Sequence, residues 1–136
     1  MKFNYLIPFM KEGCKMTYSP KPEELICIQL TSYLKEMTLT GKCDHVWFHV
    51  SNEGSSPGKQ FWGARQRNMG KFSGVADYIF LGDPCLALEI KDGNKKLQES
   101  QKVFQQWCGD CNVSFRVARS FQEAVDVLKE CGVISC

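Results

Sequence analysis

The stretch GVADYIFLGDPCLALEIK, residues 74–91, decides the fold of this chain. Within it, apolar runs at 78–81 and 85–88 stand on either side of a Gly-Asp-Pro turn. Short apolar runs bounded by Gly and Pro are typical of strands. Two such runs joined by a turn predict a buried β-hairpin, and the other elements can be arranged around it.

Three charged residues stand at one end of this predicted hairpin. Asp77 starts the first strand, and Glu89 and Lys91 close the second. Since side chains alternate along a strand, Glu89 and Lys91 share one face. Charges beside an apolar sheet are costly unless they are paired or hold a metal. The cluster is therefore a candidate functional site; the alternative is a solvated salt-bridge cluster at the sheet edge.

Outward from the hairpin, hydrophobic periodicity predicts three helices and two more strands. The helices are expected at 23–37, 97–108 and 121–131, the strands at 45–50 and 113–118, and a further short helix at 60–69. Ser120 is the expected N-cap of the last helix, and Gly70 closes the short one. The principal order αβββαβα predicts an α/β fold in which helices cover both faces of a mixed sheet.

Length and composition limit the classes of protein to which this chain can belong. A chain of 136 residues is one domain, with a core at about 20–132 and an N-terminal extension at 1–19. A net charge of +2 leaves any polyanion-binding surface to local clustering. The eight scattered cysteines are interpreted as reduced thiols, which predicts an intracellular protein that is not secreted. No apolar run is long enough for a membrane span.

Two further features bear on the candidate site. Glu23 lies three, seven and eleven residues before Ile26, Leu30 and Leu34, so it shares the helix face that packs on the sheet. Favourable charge at a helix N-terminus is the simpler explanation of Glu23 alone. Basic residues also flank the cluster, and such side chains suit DNA phosphates, although a solvated loop is the alternative. They are Lys59, Arg65, Arg67, Lys71, Lys95 and Lys96.

The order of these motifs resembles the virus-type replication-repair nuclease (VRR-NUC) family of the PD-(D/E)xK superfamily. The resemblance is carried by residues 70–77, 88–91, 97–101 and 118–124, with a turn at 52–54. It implies a restriction-endonuclease-like, three-layer α/β/α fold. The sequence departs from the family pattern at Ala76, where proline is expected, and at Gln98, where serine is expected. Neither departure affects the acids or the lysine.

The residue types and the resemblance together imply a metal-dependent deoxyribonuclease. Asp77 and Glu89 offer the hard oxygen ligands that Mg²⁺ or Mn²⁺ prefers. The backbone carbonyl of Ile90 resembles the family's main-chain metal ligand. Lys91 would orient the attacking water and stabilise charge in the transition state.

The remaining roles complete this hypothesis. Gln101 resembles the family's glutamine and would give a supporting hydrogen bond, while Glu23 would hold a water ligand of the metal or complete its shell. Stand-alone viral members resemble Holliday-junction resolvases, which implies a homodimer that acts on branched DNA in phage or viral replication, recombination or repair. The competing hypothesis is a non-catalytic DNA- or protein-binding module on the same fold. His45 and His49 are interpreted as packing or surface residues.

Overall fold

The computed structural model describes residues 3–13, 15–51 and 60–135, with backbone only at 60–62. Its centre is a sheet of four strands in the spatial order in which they follow along the chain. They are β1 (Val46–His49), β2 (Tyr78–Leu81), β3 (Leu86–Ile90) and β4 (Ser114–Ala118). Strand β2 is antiparallel to both β1 and β3, whereas β3 and β4 are parallel, so the sheet is mixed.

Helices connect and cover these strands. They are α1 (Ile7–Met10), α2 (Pro22–Leu39), α3 (Gln60–Asn68), α4 (Glu99–Asp110) and α5 (Phe121–Glu130). A single 3₁₀ turn, Asn4–Leu6, leads into α1. Ser120 caps α5, because its hydroxyl accepts the Glu123 N–H at 3.1 Å. Its role as N-cap, predicted from the sequence, is confirmed.

The core lies on both faces of the sheet. On one face, Leu30 and Leu34 of α2 and Leu128 of α5 pack with Tyr78 and Phe80 of β2, and all five are fully buried. On the other face, Phe104 and Cys108 of α4 pack against Ala87 of β3. Apolar side chains of α2, α4 and α5 are thus buried against the sheet, which is the arrangement that stabilises a layered α/β domain.

The predicted hairpin and the mixed α/β class are confirmed. Strands β2 and β3 pair with Tyr78 opposite Leu88. Along the chain, α3 lies between β1 and β2. It corresponds to the short helix predicted at 60–69, which the principal order αβββαβα did not include. The helical turns at 4–10 also give local structure to a segment from which the sequence predicted none.

Two observations concern the cysteines and the membrane. The six cysteines in the described ranges are free thiols, at positions 27, 43, 85, 108, 111 and 131. Within those same ranges, no helix has both the length and the apolar character needed to cross a bilayer.

Candidate active site

Asp77 lies where β1, β2 and β3 meet. Its Oδ2 accepts the backbone N–H of Ile90 at 2.8 Å, which ties the start of β2 to the end of β3. Its carbonyl oxygen accepts the N–H of Val50 at 2.7 Å. The hairpin register therefore fixes both the backbone and the carboxyl group of Asp77.

Glu89 projects from β3 toward α4. Its side chain is 3% exposed, and its Oε1 accepts an N–H of the Gln101 amide at 3.0 Å. The Gln101 amide oxygen in turn accepts the backbone N–H of Gln98 at 2.8 Å. Because both ends of the Gln101 amide are held, its orientation is fixed and its donor is aimed at Glu89.

Lys91 completes the buried charge cluster. It is 6% exposed, and its backbone N–H bonds to the carbonyl of Ala118 at the end of β4. Its positive charge lowers the pKa of Glu89, but burial and the charge of Asp77 outweigh that effect and raise the pKa to about 8. Burial also raises the pKa of Asp77, against the opposing Ile90 hydrogen bond.

The electrostatics of this pair fit a cation. The Asp77 and Glu89 carboxyl groups are close enough that the charge of Asp77 raises the pKa of Glu89, and Glu89 Oε2 is buried without a hydrogen-bond partner. A buried carboxylate next to a half-buried one cannot ionise cheaply together with it unless positive charge is added. The carboxylates and the adjacent Ile90 carbonyl are oxygen donors of the kind that Mg²⁺ prefers. No group of three His, Cys, Asp or Glu side chains in the described segments could hold a metal, so water or substrate oxygens would fill the remaining positions.

Gly74 brings this end of the hairpin against α4. Its φ of +84° lies in the left-handed region, which glycine adopts without strain. A Cβ at Gly74 would overlap the backbone of Ser100 and Gln101. The close approach sets α4 beside the segment that leads to Asp77, so the amide of Gln101 can reach Glu89.

Glu23 lies near Asp77 and Glu89, but its carboxyl group contacts the turn that follows β3. Its Oε1 accepts the backbone N–H of Asp92 at 3.1 Å and lies 3.7 Å from Lys95 Nζ. Both partners belong to the turn that follows β3. Glu23 thus ties the start of α2 to that turn, while its charge contributes, after larger causes, to the raised pKa values of Asp77 and Glu89.

Arg119 holds the same turn from the other side. Its Nη1 donates to the carbonyl oxygens of Gly93 at 2.9 Å and of Lys95 at 2.7 Å. The turn that carries the exposed Lys95 and Lys96 is therefore clamped between α2 and the end of β4. The sequence gave Arg119 no role, since both carbonyls lie more than twenty residues away along the chain.

A cleft of about 570 Å³ opens on the α2 side of the carboxyl pair. Glu23, Asp77 and His49 line it, together with Tyr18 of the N-terminal segment. The His49 ring meets the Tyr78 ring edge to face at 5.0 Å. Burial raises the pKa of Asp77, and the charge of His49 opposes that rise. His49 is exposed and packs against Tyr78, which agrees with its sequence interpretation as a packing or surface residue. Its place on the cleft was not predicted, because only the β1–β2 register brings it there.

The other predicted DNA-binding residues lie near the end of α3. Arg65, Arg67 and Lys71 are exposed, and Lys71 Nζ donates to the Gln66 side chain at 3.1 Å. Lys59 and the 52–54 turn lie outside the described residues. The structure thus brings together Asp77, Glu89, Lys91 and Gln101 and places Glu23 and Lys95 beside them. The DNA-binding role of Arg65, Arg67 and Lys71 stays a prediction.

This geometry defines a class: a mixed α/β domain with two neighbouring carboxyl groups and a buried lysine at the end of its central hairpin. No family model matches the sequence, and no curated protein matches it. A solved structure named as a VRR_NUC domain protein superposes with a TM-score of 0.60 at 17% identity, covering 88% of this chain and all of its own. The chain therefore has the fold of a VRR_NUC domain protein, and the resemblance seen in the sequence is confirmed at the level of the fold.

Proposed function

We propose that this protein is a Mg²⁺- or Mn²⁺-dependent DNA endonuclease that hydrolyses phosphodiester bonds. The observation that carries the proposal is the carboxyl pair of Asp77 and Glu89, in which Glu89 is buried with one unpartnered oxygen, and the buried Lys91 beside it. Burying Glu89 and Lys91 next to a half-buried Asp77 costs stability, and a catalytic site is a reason for a protein to bear that cost.

Each residue of the cluster has a defined task in this chemistry. Asp77, Glu89 and the Ile90 carbonyl would hold the cation, which when bound supplies charge neutralisation on the phosphate and lowers the pKa of water. The Lys91 ammonium orients the attacking water and stabilises negative charge that develops on the phosphate oxygens. Gln101 acts through Glu89, since its N–H bond holds one carboxylate oxygen and leaves the other available.

The substrate part of the proposal rests on charge and on the likeness of the fold. Lys95 and Lys96 follow Lys91 directly and are exposed, so they can contact phosphates next to the site. Contacts of this kind carry no sequence information, which favours recognition of DNA structure. By analogy with junction-resolving enzymes, we propose branched DNA as the substrate, a homodimer as the active form, and a role in phage or viral DNA processing.

The test is cleavage of labelled linear duplex, flap, splayed-arm and four-way-junction DNA in Mg²⁺, Mn²⁺ or EDTA. We expect the wild type to cut with either metal and not in EDTA. Lys91→Ala and Asp77→Asn should each lose at least about a hundredfold in rate while binding DNA and retaining the circular dichroism of the wild type. Lys102→Ala, which removes an exposed lysine paired with Glu99, is the matched control and should cut normally.

Two results would contradict the assignment. Metal-dependent cutting that survives both Lys91→Ala and Asp77→Asn would exclude this cluster as the active site. Tight DNA binding with no cutting in either metal would favour the non-catalytic binding module.

A further inference from the structure

A pair of exposed aromatic rings is formed by Phe72, in the segment between α3 and β2, and Trp107 of α4. Phe72 and Trp107 are 56% and 52% exposed, and their ring centroids are 5.5 Å apart at an interplanar angle of 81°. Phe104 packs against Trp107 in a second edge-to-face contact, with the ring centroids 6.5 Å apart. Because half of each ring faces solvent, the pair offers an aromatic surface that nothing in the described chain covers.

The chain around this pair is strongly basic. Residues 54–76, which contain Phe72, carry four cations and no Asp or Glu. Lys71 directly precedes Phe72, and Arg65 and Arg67 lie within the last turn of α3, which leads into this segment. On α4, Glu99 is paired with Lys102 at 3.2 Å, and Asp110 lies at the C-terminal end. Exposed aromatic rings next to a basic segment suit a partner that offers both planar rings and negative charge.

Charge argues against a second copy of the chain as that partner. In a two-fold interface the same patch faces itself. Arg65, Arg67 and Lys71 would then share one interface with the same three cations of the second copy, and residues 54–76 supply no acid to offset them. A nucleic acid, by contrast, supplies phosphates to the cations and base faces to the rings.

Helix α4 joins the aromatic pair to the candidate active site, because it carries both Trp107 and Gln101. Trp107 lies six residues after Gln101, a rise of about 9 Å along the helix axis. Gly74, two residues after Phe72, packs against the backbone of Ser100 and Gln101. A strand whose phosphate lies at the carboxyl pair would reach the rings within a few nucleotides.

We infer that Phe72 and Trp107 form a stacking site for an unpaired base of the DNA substrate. Bases inside a duplex stack on each other and have no free face, so the site selects DNA with a single-stranded segment next to the cut. The inference rests on the proposed function for the identity of the substrate, and it adds a binding site that the carboxyl cluster does not require.

The experiment measures affinity by fluorescence anisotropy in EDTA, where metal-dependent cutting is blocked. The probes are a labelled single strand, a flap and a blunt duplex. Trp107→Ala and Phe72→Ala should each weaken binding of the single strand and the flap by about 5- to 150-fold, with blunt-duplex binding changed less than about twofold. Trp107→Phe keeps a ring and should retain most of the affinity. Tyr5→Ala, which removes an exposed aromatic elsewhere, is the matched control.

The outcomes separate the inference from the proposed function. Equal losses on all three probes, or no loss on any, would overturn the stacking site. A change of oligomeric state in Trp107→Ala with unchanged DNA affinity would also overturn it and assign the face to a second copy. Selective loss of single-strand binding in a protein that never cuts would uphold the stacking site and overturn the nuclease. A wild type that binds none of the three DNAs would overturn both.

Discussion

At the residue scale, the site depends on how one amide is held. Gln101 accepts from the backbone of Gln98 and donates to Glu89, so the same side chain both caps α4 and orients a candidate metal ligand. Such supporting hydrogen bonds around metal ligands fix the ligand's orientation and its basicity.

Gln101→Ala removes the donor and leaves Glu89 free to rotate. We expect a 10- to 100-fold loss in Mg²⁺ affinity or cleavage rate. The measurement is the cleavage rate as a function of Mg²⁺ concentration. Gln105→Ala, which changes an exposed glutamine one turn further along α4, should leave the curve unchanged. Identical curves for the two variants would show that Gln101 does not act through Glu89.

The raised pKa of Glu89 predicts a pH-dependent stability for the metal-free protein. A carboxyl whose pKa is higher in the folded state favours folding while it is protonated. This contribution is present below its ordinary pKa of 4.5 and is lost as pH rises toward about 8. The Tm in EDTA should therefore fall between pH 5 and pH 9, and Mg²⁺ should raise the Tm more at pH 8 than at pH 6. Glu89→Gln should flatten both trends; a Glu89→Gln profile that matches the wild type would contradict this origin.

At the element scale, the approach of α4 to the hairpin is set by one glycine. Gly74→Ala forces a Cβ into the backbone of α4 and strains a φ of +84°. The left-handed conformation alone costs about 1–2 kcal/mol. We expect at least that loss in the free energy of unfolding, together with slower cleavage because Gln101 moves away from Glu89. Urea denaturation and single-turnover cleavage measure the two effects.

Gly109→Ala is the matched control for Gly74→Ala. Gly109 lies inside α4, has no atom near the position of a Cβ and does not need a left-handed backbone. Alanine is the better helix former, so this variant should be as stable as the wild type or more so. Equal stability of both glycine variants would disprove the packing role of Gly74.

At the scale of the whole molecule, the edge strand β1 exposes apolar side chains, next to clefts that it shares with residues of α1. Val46 and Phe48 of the edge strand β1 are 65% and 45% exposed, and Leu81, which pairs with Val46, lies on the same face. Exposed apolar side chains on an edge strand favour association. This surface shares no residue with the basic aromatic pair, and it is the surface that we propose for the dimer.

For the proposed homodimer, we expect light scattering to give a mass of twice 15.5 kDa. Phe48→Glu places a charge on the edge strand and should give a monomer. Leu25→Glu, which adds the same charge on the exposed side of α2, should stay dimeric. A wild-type mass of one chain would remove the dimer and weaken the analogy with junction-resolving enzymes.

Much of the fold could be predicted from the sequence, and so could the membership of the charged cluster. The hairpin depends on a local turn and on the alternation of neighbouring side chains, which are short-range rules. They place Glu89 and Lys91 on one face and Asp77 at the same end. The helix predicted at 60–69 is also present, as α3 (Gln60–Asn68), and Arg65 and Arg67 on it are exposed.

Tertiary structure alone decided how the site residues are used. It paired Glu23 with Asp92 and Lys95, clamped the same turn through Arg119, and brought His49 into the cleft. These contacts join positions tens of residues apart, so no periodicity or local spacing encodes them. The sequence by itself determined which charges stand together at the end of the hairpin; the packing of α2, α4 and β1 around it decided which of them are buried, partnered or left free to bind.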